Sequence, residues 1–239
     1  MSVAFGTVAA NAWGKKFLRK LSSELDAHYA NETRGRQKKQ EMLDRIRDTA
    51  QQLFDEGKGT LPDRQAHMIR GTCSLVLAAY RIIKDQSQNQ QQAFTLVKAA
   101  FQRTYQGQGK FMMRLLLWAS RDLVKTLSSS ERLKRWSQSM YGSSMGFDQA
   151  VDADGYTLIV NRCAFHQFFV DHDEPLLTPL VCAWDRNWMD VVDNANRPVR
   201  VERPTTISTG ADACRFRFVR DNDKTNPSKH DVILQNRNR

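Results

Sequence analysis

The stretch "YTLIVNR" at residues 156–162 decides the fold, because it interrupts a helical pattern that has run since Trp13. It is short, and it is dense in β-branched and aromatic residues, which predicts a strand. Two later stretches share that character. "VRVERPTTIS" (199–208) predicts a second strand, and "CRFRFVRD" (214–221) a third, in which Phe216 and Phe218 alternate with Arg215, Arg217 and Arg220. Such alternation marks an antiparallel strand with one face buried and one in water.

Upstream, the apolar residues recur with helical spacing. Trp13, Phe17, Leu21 and Leu25 stand four apart, Met42, Ile46 and Leu53 mark a second helix, and Ile69, Cys73, Val76, Tyr80 and Ile83 alternate steps of four and three. Each set predicts one buried stripe. The breakers between them are "NETRGR", "DEGKGTLPD", "KDQSQNQQQ" and "QGQGK", and Pro62–Asp63 stands where the third helix begins. Two further helices are predicted over about 89–104 and 110–126, and a short one near 130–137. The character changes after "YGSSMGFD" (141–148). Between the first two strands, "CAFHQFFVDH" reads as a short helix and "LLTPLVCAWDRNWMDVV" as a longer one, with Val181 or Cys182, Asp185, Trp188 and Val192 at helical spacing. The charged "DHDEP" (171–175) between them reads as a solvated connection.

The resulting class is α+β: a helical N-terminal half packed with a small antiparallel β-sheet in the C-terminal half. So few strands need helices as a second layer, which favours one integrated fold. Three segments are expected: a basic helical N-terminal extension (1–60), an α+β domain (61–221) and a polar tail (222–239), ordered at most around "DVIL".

The chain carries a net charge of +10, and residues 1–140 hold all of the excess, with 24 Lys and Arg against 12 Asp and Glu. The basic residues alternate with carboxylates along amphipathic helices, and no nucleic-acid-binding motif accompanies them, so nucleic acid is not the expected partner. No stretch is long and apolar enough to span a membrane, and the N-terminus places its basic cluster after its apolar residues, the reverse of a secretory signal. A cytoplasmic protein with a small-molecule partner is expected, and a homo-oligomer is left open.

Four cysteines, at 73, 163, 182 and 214, include no C-x-x-C pair, which excludes a zinc ribbon and a thioredoxin motif. Cys73 sits in an apolar helix pattern and reads as core. The other three lie near the predicted strand ends and helices that also carry His166 and Asp185. Cys182 and Asp185 are three apart on a predicted helix, so they share a face. If these groups converge, two chemistries are open: a thiolate nucleophile served by an imidazole or carboxylate, or a zinc site from Cys182, Glu202 and Cys214.

The ordered run "NRCAFHQFF … LTPLVCAWD … ERPTTISTGADACRFRF", with "QAHMIRGTCSLVLAAYRIIKD" upstream, resembles the L-2-amino-thiazoline-4-carboxylic acid hydrolase family over roughly residues 63 to 220. The resemblance implies a hydrolase acting on a C–N bond of a small heterocyclic or amide-like compound, with Cys163, Cys182, Asp185 and Cys214 as matched site residues and His67 beside them. Water would add to a ring C=N carbon and the ring would open. That chemistry needs a nucleophile or activated water, an acid, and a cation for the substrate carboxylate. The residues offer a cysteine, His166 or Asp185, and Arg162, Arg203 or Arg70 for these tasks. No cofactor is expected on this reading. The late Glu202 and "G-x-x-x-C-x-F" are also similar to 4-vinyl-reductase-type small-molecule-binding domains. That likeness implies a non-catalytic binding or sensor domain with zinc, although Thr206 stands where a further Cys would be expected.

Overall fold

The computed structural model describes Val8 and residues 11–29 and 35–221. The polar tail, with its "DVIL", lies outside the described residues. The chain forms two compact units that interleave in sequence. The first takes the described chain up to Gln106 together with Gly142–Ser144 and Ala164–Trp184. The second takes Gly107–Tyr141, Met145–Cys163 and the described chain from Asp185 onward.

The first unit is helical: α1 (Ala12–Tyr29), α2 (Gly35–Asp55), α3 (Arg64–Ser87), the leading part of α4 (Gln90–Ala119), α7 (Ala164–Asp171) and α8 (Thr178–Cys182). Phe17, Leu21 and Leu25 of α1 and Met42 and Ile46 of α2 are fully buried, as their spacing predicts. Helix α3 differs from expectation. Every residue from Gly71 to Tyr80 is buried, so it is wrapped on all sides rather than on one stripe. Its start is where Pro62–Asp63 puts it: Asp63 Oδ1 accepts the Ala66 N–H at 2.7 Å, while Oδ2 accepts both the N–H and the hydroxyl of Ser143. "DHDEP" is not simply a solvated connection, because Glu174 is buried and pairs with Lys84 at 2.8 Å.

"QGQGK" does not break the chain. Helix α4 runs through it, because an exposed glycine in a long helix costs only about 1 kcal/mol. The break falls later, at Ser120–Asp122, where Asp122 Oδ1 accepts the Lys125 N–H and starts α5 (Leu123–Ser128).

The second unit holds the rest of α4, α5, α6 (Arg132–Tyr141), α9 (Arg186–Asp193) and a four-stranded antiparallel sheet in the order β1-β2-β4-β3. The predicted strands are β2 (Gly155–Arg162), β3 (Val199–Thr205) and β4 (Cys214–Arg220), and β1 (Gly146–Val151) is a fourth at the edge. Leu158 faces Phe216 across β2 and β4, and Val201 faces Phe218 across β3 and β4. Cys214, Phe216 and Phe218 share one face by the period of two. Helix α9 packs on that face, with the Trp188 ring 5.4 Å from Phe216 and 6.0 Å from Phe218. The observed class is α+β, with helices mostly N-terminal and the sheet C-terminal. Among the described residues no helix is long and apolar enough to cross a membrane.

Candidate functional site

The second unit brings an acid, a cation, a thiol and a phenol together where α9 meets the sheet. Asp185 immediately precedes α9, at the end of a single 3-10 turn (Ala183–Asp185) that interrupts the long helix predicted there. Trp188, three residues on, donates its indole N–H to Asp185 Oδ1 at 3.2 Å. Arg203 reaches over from β3 and donates to Oδ2 at 2.9 Å, with its guanidinium 5.8 Å above the Phe216 ring. Both members of this pair are largely enclosed, with side-chain exposures of 20% for Arg203 and 21% for Asp185.

An arginine at hydrogen-bonding distance ordinarily lowers an aspartate by one to three pKa units. Here burial outweighs Arg203 and the Trp188 hydrogen bond, and Asp185 is pushed up to about 6. Desolvation of the carboxylate therefore dominates, as in other enclosed ion pairs. The Cys214 thiol is pushed up as well, first by burial and then by the Asp185 charge, against the N–H of Ile207, which donates to its Sγ at 3.3 Å. Tyr141, at the end of α6, is raised by burial and by the charges of Asp185 and Cys163. The field of Asp185 is thus felt by Cys214 and Tyr141, and that of Cys163 by Tyr141.

Chemically, an acid that titrates near neutrality is a better proton acceptor than an ordinary carboxylate and still donates readily. The neutral thiol of Cys214 and the neutral phenol of Tyr141 are proton donors in its vicinity. Among the described residues no three of His, Cys, Asp and Glu come together as a metal site. Glu202 pairs with Arg200 on β3.

The other sequence candidates are placed as follows. Cys163 is half-buried directly after β2, and Arg162 is exposed at the end of that strand. Cys182, His166, His67 and Arg70 belong to the first unit. Cys182 closes α8 and is half-buried. His166 Nδ1 lies 3.1 Å from the Thr178 hydroxyl. His67 Nδ1 donates to the Asp63 carbonyl at 2.8 Å, one turn back on its own helix. Arg70 donates to the carbonyls of Leu53 and Phe54 at 2.6 and 3.1 Å, capping the end of α2. Sequence reasoning missed Tyr141, for which an aromatic residue at the end of an amphipathic helix is too common a signal.

A family model described as L-2-amino-thiazoline-4-carboxylic acid hydrolase matches residues 65–218. The chain belongs to that family. The matched span takes in Cys163, Cys182, Asp185, Arg203 and Cys214, and agrees with the extent over which the motifs suggest the thiazoline carboxylate hydrolases. Tyr141 lies inside it too. No curated protein matches the chain in sequence. Two solved structures are similar at the level of backbone trace: the Fe(II) unliganded H-NOX protein from K. algicida, at 10% identity, and its A71G mutant, at 11%. Their TM-scores are 0.34 and 0.32. Each covers 86% of this chain, and the match spans 95% and 96% of theirs.

Proposed function

We propose that this chain hydrolyses a C–N bond of a small heterocyclic or amide-like compound, an L-2-amino-thiazoline-4-carboxylate-like substrate, with Asp185 as the proton-transferring group. The observation that carries the reading is Asp185 itself: enclosed, oriented by Trp188 and Arg203, and titrating at about 6 inside the region that matches the family. At pH 7 such a group is about ten parts ionised to one part protonated, so it starts the cycle as a base. It takes a proton from the water that adds to the ring C=N carbon and passes it to the ring nitrogen; the hydroxyl of the adduct then gives up its proton by the same route as the C–N bond breaks, so the carbon becomes a carbonyl and the nitrogen leaves as an amine.

The cysteines assist in this scheme without a standing thiolate. A Cys214 thiol whose pKa is raised stays protonated at neutral pH, so it donates to the developing charge on the substrate. Cys163, next to the exposed Arg162, lines the same end of β2, and Arg162 is the cation proposed for the substrate carboxylate. The sequence offers Arg203 equally for that task, but its contact with Asp185 gives it the task of holding the base.

The test is turnover of L-2-amino-thiazoline-4-carboxylate and related ring compounds by the purified chain. Asp185→Asn is expected to lose about 100-fold or more in kcat, the usual scale for a general acid–base group. A folded protein that hydrolyses none of these compounds would contradict the reading. Full turnover by each of Cys163→Ser, Cys182→Ser and Cys214→Ser would remove the cysteines from it.

A further inference from the structure

The C-terminal half of α4 is apolar on two opposite sides. Met113 and Leu117 are buried, at 9% and 6% exposure, and form its inner side. Phe111, Leu115 and Trp118 follow the i, i+4, i+7 rule and fall within one narrow sector on the far side, at 65%, 46% and 79% exposure, with Met112 beside them at 39%. At 3.6 residues per turn, the exposed Arg114 borders this stripe next to Trp118, and the half-buried Lys110 follows one turn before Arg114 on the same flank, toward Leu117. Helix α4 contains no acidic residue from Gln90 to Ala119. The stretch 107–141 carries seven Lys and Arg against two acids.

Isolated exposed apolar residues need no explanation, but a continuous stripe containing a tryptophan at four-fifths exposure does. Its size and charge narrow the occupant. Taking about 150–250 Å² for a large side chain, the stripe presents roughly 400–500 Å². A stable protein–protein interface takes about 800 Å² from each partner, with a polar rim around its apolar centre, and the flank bordering this stripe carries positive charge. A second copy would also bring the same positive edge against itself. A lipid surface needs neither a matched shape nor a large area. It takes Trp, Phe and Leu into the headgroup boundary while basic side chains meet anionic headgroups.

We propose that the outer face of α4, centred on Phe111, Leu115 and Trp118 and edged by Arg114, docks the protein on an anionic membrane surface. The attachment is peripheral. The helix lies in the interface, with only the outer side chains in the lipid. It is independent of Asp185 and of the reaction proposed above.

The test is co-sedimentation of the full chain with vesicles of phosphatidylcholine alone and of equimolar phosphatidylcholine and phosphatidylserine, with light scattering in their absence. Binding is expected to the mixed vesicles, to weaken as salt rises, and to be slight on phosphatidylcholine alone. The variants Phe111→Ser/Trp118→Ser and Arg114→Glu are each expected to lower binding about tenfold or more, with unchanged thermal melts because Phe111, Arg114 and Trp118 are exposed. Absence of binding by the wild type overturns the proposal, as does binding that both variants leave intact. A wild-type dimer that Phe111→Ser/Trp118→Ser converts to monomers also overturns it, and assigns the face to a second copy.

Discussion

Replacing Asp185 by Asn should change how stability depends on pH within one window. Asp185 titrates at about 6 in the folded protein, against 3.8 for an unperturbed aspartate. Between those values the folded chain holds a proton that the unfolded chain has already lost. The raised value means that ionisation is disfavoured in the fold. The contribution of Asp185 to stability is therefore highest at low pH, falls as pH rises from 3.8 to 6, and levels off above. A gap of about two pH units amounts to about 3 kcal/mol in all, of which about 2 kcal/mol falls between about pH 4.5 and pH 7. Asn does not titrate, so the variant escapes this loss. It also leaves the Arg203 guanidinium without its carboxylate, an offset that does not vary with pH in this range. Contributions from His172 and the other carboxylates are common to both proteins and cancel in the difference. Urea unfolding of the two proteins in pH steps should give a difference, variant minus wild type, that climbs by about 2 kcal/mol from about pH 4.5 to pH 7 and then stays level. A difference that is flat across the window would show that Asp185 titrates as an ordinary surface aspartate, and would refute the argument from burial.

Three structural substitutions have definite outcomes. Asp63→Ala removes the cap of α3 together with both Ser143 contacts and should cost about 1–2 kcal/mol by thermal melting at neutral pH. Those hydrogen bonds hold the Asp63 carboxyl below its ordinary value, so the deficit should shrink as pH falls below 3.8 and the wild-type carboxylate protonates. Arg70→Lys cannot reproduce the two-pronged contact with the Leu53 and Phe54 carbonyls and should cost about 1–2 kcal/mol, with kcat of the folded variant unchanged because the guanidinium serves α2. Gly155→Ala would place a methyl 2.2 Å from the Phe218 carbonyl oxygen, so it should part β2 from β4 and lower the melting temperature sharply, which circular dichroism would register.

Helices α1 and α2 and three of the four strands are legible because burial in them follows a simple period, whereas α3 is buried on every side and shows a period only at its edges. Strand β1 is not legible, since "GFDQAV" lies at the edge of the sheet, its residues are half-buried or exposed, and Val151 is half in water. An edge strand that packs little carries no alternation to read. The run through Gly107 and Gly109 reads as a breaker, yet α4 continues through it, because glycine's cost in a helix is smaller than what the flanking turns contribute to a long one. At the candidate site, the spacing of Asp185 and Trp188 within one turn anticipates their contact. The pairing of Asp185 with Arg203 could not be read, since it depends on how β3 and the start of α9 meet. Nor could the raised titration of Asp185 and Cys214, because desolvation is a property of the packed site and leaves no mark in residue order.

The most direct test of the central claim is the pH profile of kcat/KM for hydrolysis of L-2-amino-thiazoline-4-carboxylate by the wild type and Asp185→Asn. If Asp185 is the base, activity is level above about pH 6 and falls about tenfold per pH unit below it, and this limb disappears in a variant slower by about 10² to 10⁴. A profile that keeps rising through the range where thiols ionise, with Asp185→Asn retaining wild-type activity, would contradict the account and return catalysis to a cysteine thiolate.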